Sequence, residues 1–98
     1  MAFELLFTER AACQLDALES DDGLAKRLKA VRKALGMLGV NLRHPGPNTH
    51  KFFSINGPGG EEVFEAYAEN KIPAAWRILW MYGPDRNQIT IVTITPHP

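Results

Sequence analysis

The sequence lacks several features that would assign a small protein to a class at once. It contains a single cysteine, Cys13, which excludes an internal disulfide and fits a reducing compartment. No apolar run approaches the roughly 18 residues that a membrane-spanning helix needs. The first ten residues have no basic region followed by a long apolar stretch, as a signal peptide would. We therefore expect a soluble, cytoplasmic protein.

The chain also lacks a net charge, because 11 basic and 11 acidic residues cancel. The whole molecule thus offers no general attraction for nucleic acid or an anionic membrane. Six of the acids lie within the first 22 residues, whereas seven of the bases lie between Lys26 and Lys51. This local excess predicts a phosphate-contacting surface, unless the helical bases are simply solvated. The candidates for RNA contact are Lys29, Arg32, Lys33, Arg43, His50 and Lys51.

Motifs for metals and nucleotides are missing as well. The sequence has no C-x-x-C, no H-E-x-x-H, no P-loop and no G-x-G-x-x-G. The glycine-rich stretch at 57–60 contains a proline and precedes no helical pattern, which favours a turn over a nucleotide-binding loop. We expect no cofactor and no metal site.

The hydrophobic residues that are present suffice for one core. With 98 residues and 45% hydrophobic content, the chain is predicted to form a single domain over 1–98. Phe3–Phe7 has the length of a strand, and a helix should run from Glu9 to about Leu18. The leucine-rich stripe that begins at Leu24 predicts a second helix ending near Gly39.

Four strands are predicted after a proline-rich loop. Aromatic and β-branched residues mark them at about Lys51–Ile55, Val63–Ala68, Ala75–Tyr82 and Ile89–Thr95. The connections are too short for parallel crossovers and therefore favour antiparallel neighbours. The predicted fold is α+β, with the order β-α-α-β-β-β-β and a helical hairpin on one face of a mostly antiparallel sheet.

Four segments, taken in order, resemble the RelE/ParE superfamily of toxins. The opening FELLFTERAACQLDAL is similar to the strand and helix at the start of RelE-like toxins. The segment KRLKAVRKALGMLGVNLRHPG resembles their second helix and its exit loop. AAWRILWMY is similar to the strand that carries the family's arginine, and ITIVTITPHP resembles the last strand, which ends near a histidine.

This resemblance implies the toxin component of a toxin–antitoxin pair, silenced by a cognate antitoxin. RelE-like toxins are ribosome-dependent messenger-RNA endonucleases, which implies the ribosome and mRNA as further partners. The ParE branch inhibits DNA gyrase without catalysis, so a gyrase-directed toxin is an alternative, as is a decayed member that retains only antitoxin binding. The resemblance also implies a homodimer or a toxin–antitoxin hetero-oligomer. The aromatic strand residues Phe52, Phe53, Trp76 and Trp80 are expected to leave apolar surface for a partner.

The resemblance also implies catalytic residues for metal-free RNA cleavage. Arg77 matches the family's arginine and would stabilise charge on the phosphate, unless it forms a structural ion pair with Glu65 or Glu69. His97 matches the C-terminal histidine that acts as an acid or base. Because Glu65 and Tyr67 are two residues apart on one strand, we expect them to form an acid and hydroxyl pair beside Arg77.

Overall fold

The computed structural model describes residues 2–40, 49–69 and 75–96, with the side chain of Phe53 excepted. The predicted element order and α+β class are confirmed, and every predicted strand lies within two residues of its observed bounds. The elements are β1 (Glu4–Phe7), α1 (Glu9–Ser20), a 3₁₀ turn (Asp22–Leu24), α2 (Ala25–Val40), β2 (His50–Asn56), β3 (Glu62–Tyr67), β4 (Trp76–Tyr82) and β5 (Gln88–Pro96).

Side-chain caps fix where the helical hairpin begins and turns. The hydroxyl of Thr8 accepts a hydrogen bond from the Ala11 amide at 3.1 Å and donates one to the Val92 carbonyl at 2.8 Å. Thr8 therefore caps α1 and also ties it to β5. Asp21 caps the 3₁₀ turn by accepting a hydrogen bond from the Gly23 amide at 2.9 Å.

All five strands belong to one sheet with the order β1-β5-β4-β3-β2. The pairs β2–β3, β3–β4 and β4–β5 are antiparallel, whereas β1 runs parallel to β5. The last strand thus lies between β1 and β4. This parallel pair is possible because the helical hairpin and three strands separate β1 from β5 along the chain.

Both helices pack on one face of the sheet, α1 mainly against β5 and α2 against β4. The strand side chains on this face alternate with those on the other face. The core between helices and sheet consists of Ala11, Leu18, Val31, Ala34, Leu35, Leu38, Ala66, Ile78, Trp80, Ile89, Ile91 and Ile94. Among the described helices, none is both long and apolar enough to cross a membrane.

The opposite face of the sheet, which we call the open face, carries polar groups. Ala66 and Ile78 point into the helix-side core, so their neighbours Glu65 and Arg77 project from the open face. These two residues are buried although they are charged. A buried charge is stable only when it is paired and hydrogen-bonded, which makes this face the place to look for chemistry.

Candidate functional site

Three adjacent strands bring four polar side chains together on the open face. His50 of β2 lies opposite Glu65 of β3, and Tyr67 of β3 lies opposite Arg77 of β4. Directly paired residues of antiparallel strands project from the same face and lie within contact distance. We call His50, Glu65, Tyr67 and Arg77 the open-face cluster.

Glu65 is the centre of this cluster. Its Oε2 accepts a hydrogen bond from Arg77 Nη1 at 2.5 Å, and its Oε1 accepts one from the Tyr67 hydroxyl at 3.1 Å. His50 Nε2 lies 2.8 Å from the same Oε1. Only 4% of the Glu65 side chain is exposed. Both carboxylate oxygens are therefore engaged by side chains from three strands.

The cluster controls the protonation of its own carboxylate. Burial raises the pKa of Glu65, but the hydrogen bonds from Arg77 and Tyr67 and the nearby positive charge outweigh it and hold this pKa below its ordinary value. Burial and the hydrogen bond to Glu65 raise the pKa of Tyr67. At neutral pH, Glu65 is thus an anion and Tyr67 a neutral donor.

Arg77 lies largely beneath the surface, with 9% of its side chain exposed. Its guanidinium carbon lies 4.9 Å from the centre of the Phe52 ring, close enough for a cation–π contact. Its Nε is buried and has no hydrogen-bond partner among the described residues. The ion pair with Glu65 that the sequence left open as an alternative is present, whereas Glu69 pairs with Arg27 instead.

His50 is the most accessible titratable member of the cluster. Its side chain is 46% exposed, and its ring centre lies 5.6 Å from that of Tyr67. The sequence placed His50 among the RNA-contacting bases and gave no sign that it would meet Glu65. That contact depends on the register of β2 against β3, which periodicity alone does not fix.

Lys51 lies apart from the cluster, although it follows His50 in sequence. It is paired with Phe64, whose side chain packs against the helix-side core. Its ammonium contacts Glu62 Oε1 at 3.0 Å. Lys51 therefore projects from the face of the sheet opposite His50.

The predicted helical bases also lie on the helix side. Lys29, Arg32 and Lys33 are exposed on α2, and Arg32 pairs with Glu19 of α1 at 2.6 Å. Lys29 and Lys33 make no ion pair with any described residue. A helix with its side chains is about 10 Å across, so these lysines and the open-face cluster are separated by at least the helix layer and the sheet.

The remaining predicted residues are two candidate site residues and the aromatic residues of the strands. Arg43 and His97 lie outside the described residues, as does the side chain of Phe53. Trp80 was expected to contribute apolar surface for a partner, but it is buried in the helix-side core with 1% of its surface accessible, because β4 is an inner strand. Phe52 and Trp76 are half-buried and lie against the guanidinium groups of Arg77 and Arg27, respectively.

No group of three or more histidine, cysteine, aspartate or glutamate side chains is placed to hold a metal ion within residues 2–40, 49–69 and 75–96. The described site instead offers one buried carboxylate, one buried cation, a phenol and an imidazole. These groups suit proton transfer and the stabilisation of negative charge.

No protein-family model matches the sequence, and no curated protein matches it either. Solved structures do match. A YoeB/ParE toxin from Agrobacterium tumefaciens aligns over 98% of this chain and 100% of that chain, with a TM-score of 0.71 and 7% identity. The chain has the RelE/ParE toxin fold.

Two further structures share this RelE/ParE fold. The archaeal RelE–RelB complex from Pyrococcus horikoshii matches over 98% of this chain and 96% of that chain, with a TM-score of 0.64 and 13% identity. The YoeB dimer from Staphylococcus aureus matches over 100% of both chains, with a TM-score of 0.66 and 15% identity. The order of strands and helices therefore persists although few residues are shared.

Proposed function

We propose that this protein is the toxin of a toxin–antitoxin pair and acts as a ribosome-dependent messenger-RNA endonuclease. The observation that carries this proposal is the open-face cluster on a RelE/ParE fold. The cluster combines a cation, a carboxylate and an imidazole within hydrogen-bonding distance. RNA cleavage through the 2′-OH needs groups of this kind.

The reaction would proceed in one displacement at phosphorus. The 2′ oxygen attacks phosphorus as its proton passes to a base, and the bond between phosphorus and the 5′ oxygen breaks. The products are a 2′,3′-cyclic phosphate and a 5′-hydroxyl. Arg77 offsets the charge that develops on the phosphate, and His97 supplies the proton to the 5′ oxygen. Glu65 and Tyr67 are the remaining members of the proposed site, and none of these steps needs a metal.

The chemistry of Arg77 supports its part in this proposal. Its Nη1 is used by Glu65, but its Nε has no partner among the described residues. A buried donor without a partner is uncommon and calls for an explanation, of which a catalytic role is one. We propose that movement of the half-buried Phe52 ring, which lies over the guanidinium, brings Arg77 into contact with a phosphate.

The predicted RNA-contacting bases lie on two faces of the molecule, which favours an RNA partner large enough to reach both. His50 lies on the open face, whereas Lys29, Arg32, Lys33 and Lys51 lie on the helix side. A short RNA strand in the cluster would not reach both faces. We therefore propose that the helix-side bases, together with Arg43, contact RNA of the ribosome while the message lies in the cluster.

We further propose that an antitoxin covers an apolar patch at one end of the helix side. Val40 and Tyr82 are 66% and 52% exposed. Phe3 joins them, because its amide donates to the Gly39 carbonyl and its ring centre lies 6.5 Å from that of Tyr82. A similar fold is solved in a RelE–RelB complex. Tyr82→Glu should abolish antitoxin binding, whereas Ile55→Glu, an exposed control on β2, should leave binding intact. The Tm of each variant without antitoxin shows whether it is folded. Equal antitoxin affinity of Tyr82→Glu and the parent would contradict this placement.

A gyrase-directed toxin is the second candidate, and the burial of Arg77 is what favours it. An arginine that is paired with Glu65 and covered by Phe52 also fits a purely structural role. In that case the open-face cluster would stabilise the sheet, and the toxic surface would lie elsewhere.

Mapping transcript ends after induction without antitoxin separates the two candidates. The endonuclease proposal predicts new 5′-hydroxyl ends within translated messages and growth arrest. Arg77→Ala should reduce cleavage by about two to three orders of magnitude, as loss of one charge-stabilising donor does. Intact messages combined with growth arrest and loss of gyrase supercoiling activity would instead support the gyrase candidate and contradict the endonuclease.

A further inference from the structure

Glu65 is placed to orient a neighbour and not to meet RNA itself. Its side chain is 4% exposed, and it lies beneath donors from β2, β3 and β4. A base that removes the 2′-OH proton must come within hydrogen-bonding reach of that hydroxyl. His50 meets this requirement better, since 46% of its side chain is exposed.

The contact between His50 and Glu65 determines which nitrogen of the His50 ring carries a proton. Because the pKa of Glu65 is held low, its carboxylate is ionised at neutral pH and can only accept hydrogen bonds. His50 Nε2 lies 2.8 Å from Glu65 Oε1, so Nε2 must carry a proton. A neutral imidazole has one such proton, which leaves the lone pair on Nδ1.

The surroundings of His50 support this arrangement. The charged and titratable groups that face it in the described structure are Glu65 and Tyr67 on β3, followed by Arg77 on β4. Lys51, the next residue on β2, projects from the opposite face. Arg77 and Tyr67 both hold Glu65, so the carboxylate that orients His50 is itself held in place.

We propose that His50 accepts the 2′-OH proton during RNA cleavage and that Glu65 is the positioning residue that fixes its ring and tautomer. This inference rests on the ribonuclease function proposed above. As the bond between the 2′ oxygen and phosphorus forms, the proton moves to His50 Nδ1. In the same displacement the bond to the 5′ oxygen breaks, and that oxygen takes up a proton as proposed above. A buried carboxylate orients a histidine base by the same physical logic in the serine proteases.

The kinetic test compares His50→Gln, Glu65→Gln and Ser54→Ala, an exposed control on β2. Cleavage of ribosome-bound message is measured from pH 5 to 9, together with Tm. His50→Gln should lose about two to four orders of magnitude in kcat, which is far more than its fall in Tm explains. It should also change the pH dependence of kcat, because the group that accepts the proton is lost.

The kinetic constants of Glu65→Gln and of the control Ser54→Ala test the positioning role of Glu65. Glu65→Gln should lower kcat more than it raises KM, since it disturbs orientation and not substrate binding. Ser54→Ala should resemble the parent. If the pH dependence of kcat is unchanged in His50→Gln but lost in Glu65→Gln, Glu65 is the base and the inference is overturned. A parent protein without any cleavage would overturn the ribonuclease proposal and this inference together.

A measurement on the parent protein avoids any loss of folding in the variants. The ¹⁵N shifts of the His50 ring at about pH 8 report which nitrogen carries the proton, irrespective of activity. We expect the proton on Nε2. A proton on Nδ1 would contradict the role of Glu65 even if the enzyme cleaves RNA.

Discussion

Arg77 and Glu65 form an ion pair across β3 and β4, in which Nη1 and Oε2 lie 2.5 Å apart and both side chains are less than one-tenth exposed. If one member of a buried ion pair is removed, the other charge is left uncompensated in the protein interior, which is strongly destabilising. The pair joins the cation of the proposed mechanism to the carboxylate that orients the proposed base. Stability and catalysis should therefore respond together when either residue is changed.

The first prediction concerns this coupling. Arg77→Met should lower the free energy of unfolding by about 3–5 kcal/mol, because it leaves the Glu65 carboxylate buried and uncompensated. The double variant Glu65→Leu with Arg77→Met should be more stable than Arg77→Met alone, since the orphaned charge is gone. Urea denaturation of the parent, Glu65→Leu, Arg77→Met and the double variant measures the coupling free energy between the two residues. Additive effects of the two changes would mean that the pair is exposed to water in solution.

The second prediction concerns the pH dependence of stability. The pKa of Glu65 is lower in the folded protein than in the unfolded chain, so its ionised form stabilises the fold above the ordinary carboxylate range. That contribution should be lost as the pH falls through the folded-state pKa. The stability difference between the parent and Glu65→Gln should then shrink below about pH 4. Glu62→Gln, an exposed neighbour on β3, is the control, and an equal pH response in both variants would contradict the assignment.

The third prediction concerns Tyr67. Burial and the Glu65 carboxylate raise the pKa of its phenol, because ionisation would place two negative charges side by side. The chain has two tyrosines, Tyr67 and Tyr82, so absorbance titrations of the parent, Tyr67→Phe and Tyr82→Phe resolve each phenol. We expect Tyr67→Phe to remove a component that ionises above pH 10. It should also cost about 1.5–3 kcal/mol of stability, the range for a hydrogen bond to a charged group. Ionisation of Tyr67 at or below pH 10 would show that its hydroxyl does not contact Glu65 in solution.

The fourth prediction concerns the helix-side lysines. Lys29→Ala combined with Lys33→Ala should weaken binding to ribosomes and reduce its salt dependence, because two of the proposed phosphate contacts would be lost. Tm should not change, since both side chains are exposed on α2. Co-sedimentation with ribosomes at several salt concentrations tests this, with Arg10→Ala as a basic control on α1. Equal salt slopes for the double variant and the control would remove these lysines from the interface.

The sequence predicted the fold well because its signals are local. Helical spacing, the cap at Thr8 and the short turns determine the elements and their order. The place of β1 beside β5 was not predictable, because it depends on a contact between residues such as Leu5 and Ile89 that are far apart in sequence.

The site was predictable only in part, for the same reason. Glu65 and Tyr67 share a face by simple alternation, and the resemblance to known toxins selected Arg77. The contact between His50 and Glu65 requires a particular register of β2, and a slip of one residue would have turned His50 to the other face. Long-range register is therefore the information that the sequence pattern did not supply.

The most direct test of the account is cleavage of a labelled message on programmed ribosomes by the purified protein. The message carries either ribose throughout or a single 2′-deoxyribose at the scissile position, located first with the all-ribose message. We expect the all-ribose message to yield a 5′-hydroxyl fragment and a 2′,3′-cyclic phosphate, and the 2′-deoxy message to remain intact because it lacks the attacking hydroxyl. Equal cleavage of both messages, or no cleavage of either, would contradict an endonuclease that acts through the 2′-OH.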